Sequence, residues 1–377
     1  MERGLSLYLD LLRLIAAVEV FAYHISGFPA FGFRRGVWNG FGHEAVTIFF
    51  VLSGFVIRYT AGRSDKTFGA FATSRITRVY SVAIPCLVLT WLFDMVGHQM
   101  MPQLYEGLVT DGSDLLRLAI GGVMLNEAWV SVQMLSNTPY WSISYEFWYY
   151  FLFAFVFYFK GLLRWAGVAV VALICGPKIL LLYPVWLLGW AAFSETRSGR
   201  FPKWFSWLLF IQPVFVLWAY VMADLAKLDG KMLVPLIGYD GWRNGMAWSR
   251  FLFTDMLLGL SIAGHLVGAK GLGAPLARML GWVERPLKWL AGQSFTLYLL
   301  HQPALLFCGA ILSGLGFGSA YGWAVGAATL GVVGLVALVT ETQRHRLKPI
   351  IQWLVAWFGR HFETLLARHL RQARPAA

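Results

Sequence analysis

The sequence predicts an all-α protein that crosses a membrane many times, and three observations carry that prediction. Of its 377 residues, 58% are hydrophobic and only 13% are charged, against about 25% charged in soluble globular domains. Mean hydropathy is +0.61, and apolar runs of about 20 residues, the length that spans a bilayer, recur from end to end. The 18 Trp and 15 Tyr suit aromatic belts at the two membrane surfaces. A net charge of +12 would also fit nucleic-acid binding. Its positive residues, however, fall in loops between apolar runs, which is the pattern of membrane topology.

A polytopic bundle of about ten helices is expected, near residues 7–28, 43–62, 79–98, 141–159, 164–176, 178–194, 204–224, 251–269, 288–312 and 320–341. The fifth and sixth are short because "CGPKILLLYP" interrupts one apolar block. Arg58, Arg63, Lys66, Arg75 and Arg78 follow the second helix, Lys160 and Arg164 the fourth, Arg197, Arg200 and Lys203 the sixth, and Lys270, Arg278, Arg285 and Lys288 the eighth. The loop from about 99 to 140 carries Arg117 against Glu106, Asp111, Asp114 and Glu127, and the turn near 313–319 has no charge. The positive-inside rule then puts both termini in the cytoplasm, as an even number of spans requires. Arg34 and Arg35, in an expected outer loop, run against it.

Cys86, Cys175 and Cys308 lie inside apolar segments without CxxC spacing and are expected as buried packing. Arg13 interrupts the first apolar run, so the first helix is expected to be retained rather than cleaved. No internal repeat or low-complexity linker divides the chain. Residues 1–345 are expected to form one transmembrane domain, and 346–377 a basic cytoplasmic segment. In the latter, Ile351, Leu354, Val355, Phe358, Phe362, Leu365 and Leu366 form an apolar stripe, away from Arg360, Arg368 and Arg371. That is a C-terminal amphipathic helix, lying on an anionic leaflet or packed on the bundle.

Polar residues inside membrane helices are the first place to look for function, because each costs about 2.5–3.5 kcal/mol at a helix centre. Arg13 and His24 are eleven positions apart, which returns to nearly the same face at ~100° per residue and separates them by about 16 Å. Taken alone, each has a structural explanation: Arg13 as an interfacial arginine paired with Asp10, His24 as an interfacial histidine on a backbone carbonyl. Glu19 points to another face. In "FFVLSGFVI", Ser53 and Gly54 are small and read as close helix packing. Arg75 and Arg78 share a face and could hold phosphates, although topology alone would also place them there. Glu146 lies one turn into the fourth helix, among Trp141, Tyr145, Trp148 and Tyr149, and needs a partner. His24 at similar depth is a geometric possibility. His301, in "LYLLHQP", is followed by Gln302–Pro303, which can mark a kink.

Together these pieces resemble the acyltransferase-3 family of integral membrane acyltransferases. The pair Arg13 and His24 is similar to the family's Arg-x10-His signature, "FFVLSGF" to its second-helix motif and "RITRVY" to its arginine-rich segment at the third helix. "YWSISYEFWYY" resembles its Trp-Ser-Leu-x-x-Glu segment, and "LYLLHQP" its Tyr-Leu-x-His-Gln-Pro segment. The order is kept from about residue 6 to 345. Ser81 stands where the family often has proline, Glu19 where it has an aliphatic residue, and Gln343 in the proline position of a closing Glu-x-Pro that begins at Glu341. No hydrolase-like domain follows, so transfer is expected to be completed within the bundle or by a partner.

The resemblance implies a bacterial inner-membrane O-acyltransferase that takes an acyl group, usually acetyl, from cytoplasmic acyl-CoA to a hydroxyl of a cell-surface or lipid-linked carbohydrate, without a metal. Arg75 and Arg78 would hold CoA phosphates, and Arg13 would assist there or stabilise charge on the thioester. His24 would act as general base or carry the acyl group, with Glu146 orienting its ring. His301, Trp141 and Tyr145 are candidates for holding the acceptor. The competing class is a transporter in which Arg, His and Glu form a buried path; a non-catalytic scaffold of an export complex is a third.

Overall fold

The computed structural model describes residues 1–36, 39–109, 112–193 and 201–372, with 362–372 by backbone alone. Arg197, Arg200 and Asp111 of the loop-charge pattern therefore lie outside the described residues, as do the side chains of Phe362, Leu365, Leu366, Arg368 and Arg371. Among the described residues the regular elements are helical, with one isolated bridge between Ala61 and Asp65. The helices are α1 (Arg3–Ile25), α2 (Gly42–Thr60), α3 (Phe68–Met100), α4 (Asp114–Gly122), α5 (Trp141–Tyr158), α6 (Gly161–Ala192), α7 (Lys203–Met222), α8 (Leu228–Asp240), α9 (Leu252–Gly271), α10 (Gly273–Leu280), α11 (Glu284–Ala291), α12 (Ser294–Leu312), α13 (Tyr321–Thr340) and α14 (Arg344–Gln372).

Six of the described helical segments are long and apolar enough to cross a membrane, those built on α3, α6, α7, α9, α12 and α13. The protein is an all-α membrane bundle. α1, α2 and α5 occupy expected spans and have the length, but are too polar to join that set. They carry Arg13, His24, Ser53 and Glu146, so the departure from apolar composition is concentrated where the candidate site lies.

The interruption at "CGPK" is a reversal. Gly176 has φ +71°, a conformation open to glycine, and Pro177 follows it. The limb before it packs Gly167 against Phe155, late in α5. The limb after it runs beside α5 in the same direction, with Tyr183 against Tyr149 and Trp186 against Phe153. This second limb meets α2 closely: a Cβ on Gly54 would fall 2.1 Å from the Trp186 carbonyl oxygen, and one on Gly189 1.9 Å from that of Val51. Only glycine permits that approach, as the small-residue reading of Gly54 expects.

α3 starts about three turns earlier than expected, capped by Thr67, whose hydroxyl accepts from Ala70 N at 3.2 Å. Arg75 and Arg78 are therefore within the helix. Its 33 residues extend about 50 Å, well beyond a ~30 Å hydrocarbon layer. α4, α8 and α10 are short helices in stretches expected as loops, and α11 takes up the first residues of the expected span 288–312, the rest of which is α12. α14 packs on α3, where Val355 approaches Gly69. All three cysteines are buried and free.

Candidate active site

Chemistry-bearing residues gather at two levels of the bundle. At one end, the histidine end, the last turn of α1 meets α12. His301 is fully buried, and its Nδ1 faces the carbonyl oxygens of Leu297 and Tyr298 at 3.0 and 2.8 Å. Carbonyls only accept, so in the neutral ring Nδ1 holds the proton and Nε2 is an acceptor. His24 Nδ1 stands 3.2 Å from that Nε2 and 2.8 Å from the Val20 carbonyl oxygen. Both of those atoms accept, so His24 Nδ1 is the donor. Its own Nε2 keeps a lone pair with no hydrogen bond to a described residue.

α12 can hold His301 there because its proline is compensated. Pro303 has no N–H for the Leu299 carbonyl one turn back, and Asn137 Nδ2 donates to that oxygen at 2.8 Å instead. Gln302 Nε2 donates to Thr138 Oγ1 at 3.2 Å. The Gln302–Pro303 pair thus ties the helix to the segment that leads into α5.

Deeper toward the opposite, arginine end lies a narrow cavity lined by Arg13, Ser53, Arg75, Arg78, Ser142, Glu146, Tyr150 and Tyr298, among apolar side chains. Tyr150 donates to Glu146 Oε1, Ser53 Oγ donates to Tyr150 Oη at 3.4 Å, and Trp186 Nε1 donates to Ser53 Oγ at 3.1 Å. This chain of bonds fixes the Glu146 carboxylate. Arg13 Nη1 donates to Asp10 Oδ1 at 3.3 Å. Where the cavity approaches the histidines, Ser142 Oγ and Tyr298 Oη are hydrogen-bonded at 2.6 Å, and the Tyr298 ring lies 6.3 Å from that of His301. A second cavity at the arginine end shares Val56, Arg75 and Arg78 with the first.

This geometry gives His24 a different partner from the one considered and places Trp141, Tyr145 and Glu19. The partner of His24 is His301, not Glu146: His24 is in the final turn of α1, whereas Glu146 hangs lower and is taken by Tyr150, one turn along its own helix. Trp141 and Tyr145 line neither cavity. Trp141 stacks on Trp248 at 4.9 Å and 9°, and Tyr145 stacks on Phe50 and is hydrogen-bonded to Ser249 at 3.2 Å. Glu19, left without a role, accepts from Phe41 N at 2.9 Å and holds the start of α2 beside α1. Ser53 is packed, as expected, and also borders the cavity. Glu341 accepts from Thr296 N and Oγ1 at 2.9 and 3.1 Å.

Sequence reasoning missed Tyr150, Tyr298 and Ser142. Their signal is present in hindsight: Tyr150 is four residues after Glu146, and Tyr298 three before His301, both one helical turn away. Two groups outside the spans show how the bundle's edges are held. Burial raises the Glu127 carboxyl to about 7, against the lowering effects of the Ser131 hydroxyl and Lys178. Hydrogen bonds from Lys288 and Arg3 lower the Glu284 carboxyl. Among the described residues, no group of three or more His, Cys, Asp or Glu is placed to hold a metal ion.

The chain has relatives among known proteins. It is 26% identical to the acyltransferase MdmB of Streptomyces mycarofaciens over 357 residues, 87% of this chain and 85% of that protein. It is 32% identical to an O-acetyl transferase of Shigella phage Sf6 over 126 residues, 32% of this chain and about a third (34%) of that protein. No solved structure gives a significant match. A family profile described as an acyltransferase domain matches residues 6–341, nearly the whole chain. With that match, over a bundle whose inner cavity and histidine pair are built from the motif-bearing helices, the chain belongs to the acyltransferase-3 family of membrane acyltransferases.

Proposed function

We propose that the protein transfers an acyl group, acetyl in the simplest case, from a CoA thioester at the arginine end to a hydroxyl of a cell-surface or lipid-linked carbohydrate at the histidine end. The observation that carries this reading is the hydrogen bonding of His24, which spends Nδ1 on Val20 and His301 and leaves the Nε2 lone pair for a substrate. As the acceptor oxygen attacks the thioester carbonyl, Nε2 takes its proton. The C–S bond breaks, and the imidazolium returns the proton to the departing sulfur. His301, by accepting from Nδ1–H, orients the ring and stabilises its charged form.

Arg75 and Arg78 hold phosphate groups of the donor, and the narrow inner cavity takes its slender thioester arm past Arg13 and Glu146. The acyl end then passes between Ser142 and Tyr298. Glu146 therefore belongs to the donor side in this reading. Positive charge at the arginine end, from Arg58, Arg75, Arg78, Arg344 and Lys348, supports a cytoplasmic placement of that end and of both termini in a bacterial inner membrane.

The test is incubation of detergent-purified wild type and His24→Ala with radiolabelled acetyl-CoA, with and without candidate glycans. Wild type is expected to cleave the thioester or label a glycan, and the variant to lose at least ~10²-fold in rate. Label retained on wild type would mean that Nε2 itself attacks the carbonyl. Equal turnover by both proteins would remove His24 from the chemistry.

A further inference from the structure

The cavity at the arginine end has a volume of about 420 Å³ and is bordered by Arg344, His345 and Lys348, from the first two turns of α14. These residues lie past the last position matched to the family, 341. Arg344 and Lys348 are four residues apart and lie on one side of the helix, facing Arg75, Thr77 and Arg78 of α3. Arg75 is paired with Asp65 at 2.9 Å. Arg78, Arg344 and Lys348 make no ion pair with a described residue. The nearby Glu341 carboxylate is engaged by Thr296.

Basic residues at a helix end would by themselves reflect topology. Thr77 adds an independent observation. Thr90, Thr329 and Thr340 each return their hydroxyl to the carbonyl four residues back, at 2.7, 2.8 and 3.0 Å, the usual solution for a helical threonine. Thr77 is 5% exposed, lines this cavity, and its Oγ1 has no partner; neither does the buried Nε of Arg75. A buried hydroxyl and a buried guanidinium N–H without partners are donors awaiting an acceptor. Arg78, Arg344 and Lys348 around them outnumber the nearby Glu341 carboxylate, so that acceptor carries several negative oxygens.

We propose that Arg344, His345 and Lys348 complete, with Arg75, Thr77 and Arg78, a site for the phosphate groups of a nucleotide, the phosphorylated ADP portion of the acyl donor. Arginine forks match phosphate oxygens, Lys348 supplies a point charge, and the Thr77 hydroxyl donates to a bridging or terminal oxygen. The inference rests on CoA as the donor. A phospholipid headgroup offers the same phosphate chemistry, and the test separates the two.

Full-length protein in detergent is titrated with 3′-phospho-ADP by equilibrium dialysis, and in parallel reconstituted in nanodiscs with and without phosphatidylglycerol. The proteins are wild type, Arg344→Gln/Lys348→Gln and the control Arg346→Gln, which removes an exposed charge from the same turn but lines neither of the two cavities described. Arg344 and Lys348 are exposed, so their loss leaves folding intact. The expected result is saturable nucleotide binding, competed by CoA, that weakens about tenfold or more in the double variant and less than twofold in the control. In turnover, the double variant raises KM for acetyl-CoA with kcat kept. Equal binding by all three proteins overturns this inference while leaving the donor assignment standing. Binding of phosphatidylglycerol but not of nucleotide, lost in the double variant, also overturns it in favour of a headgroup site. If wild type neither binds CoA nor turns it over, the donor reading itself fails.

Discussion

α12 and α7 look alike in sequence and behave oppositely in the molecule. They have 19 and 20 residues, and their most apolar stretches have mean hydropathies of 1.6 and 1.8. Yet 78% of that stretch is buried within the protein in α12, and 11% in α7. α12 carries Tyr298, His301 and Gln302, each hydrogen-bonded to a neighbouring helix or loop. α7 turns Trp204, Trp207, Val214, Phe215, Trp218 and Met222 outward and buries only Ser206 and Tyr220. Hydropathy measures whether a helix tolerates hydrocarbon, not whether its neighbours are lipid or protein. Both carry polar groups with partners: those of α12 reach α1, α5 and α13, whereas α7 offers Gln212 to Ser261 of α9 and Tyr220 to Glu44 of α2.

The largest test of this contrast is at His301. Replacing it by Phe removes the acceptor for His24 Nδ1–H while keeping a ring in place. We expect transfer to fall by about 10²-fold or more, whereas His301→Gln, which retains an acceptor, recovers part of the rate with an altered pH profile. Unchanged rates in both would make α12 a packing element only. An intermediate effect is expected at Asn137→Ala, which leaves the buried Leu299 carbonyl without a donor. The loss should be about 1–3 kcal/mol, read as a lower unfolding midpoint in detergent. The smallest belongs to α7: Phe215→Leu, on the outward face, should alter stability by no more than about 0.5 kcal/mol and leave turnover alone. A large effect there would mean that this face is covered by protein.

The same contrast explains how much could be read from the sequence. The apolar windows placed the spans well, including the reversal at Gly176, since a Gly-Pro pair inside an apolar block has few other uses. They missed the first turns of α3, because Arg75 and Arg78 make that stretch too polar to register, though its capping Thr67 was visible. Arg13, His24, Glu146 and His301 stood out because charge and imidazole are costly in hydrocarbon. Their partners did not. His24 was matched to Glu146 on estimated depth, but an error of one turn, about 5 Å, is enough to exchange one partner for another. Tyr150, Tyr298 and Ser142 carry no charge and merge with the aromatic background of their helices. Trp141 and Tyr145 drew attention by sitting beside Glu146, yet neighbours along a helix face different ways.

The 2.6 Å bond between Ser142 and Tyr298 has a consequence for the cell's energy supply. An enzyme that passes a chemical group across a bilayer also offers protons a shortcut, and a potential of 100 mV drives each with about 2.3 kcal/mol. In the proposed transfer the acyl group has to part these two hydroxyls, which meet where the cavity approaches the histidines. On that proposal the idle protein is expected to leave a proton gradient across reconstituted vesicles intact, as dye quenching would show.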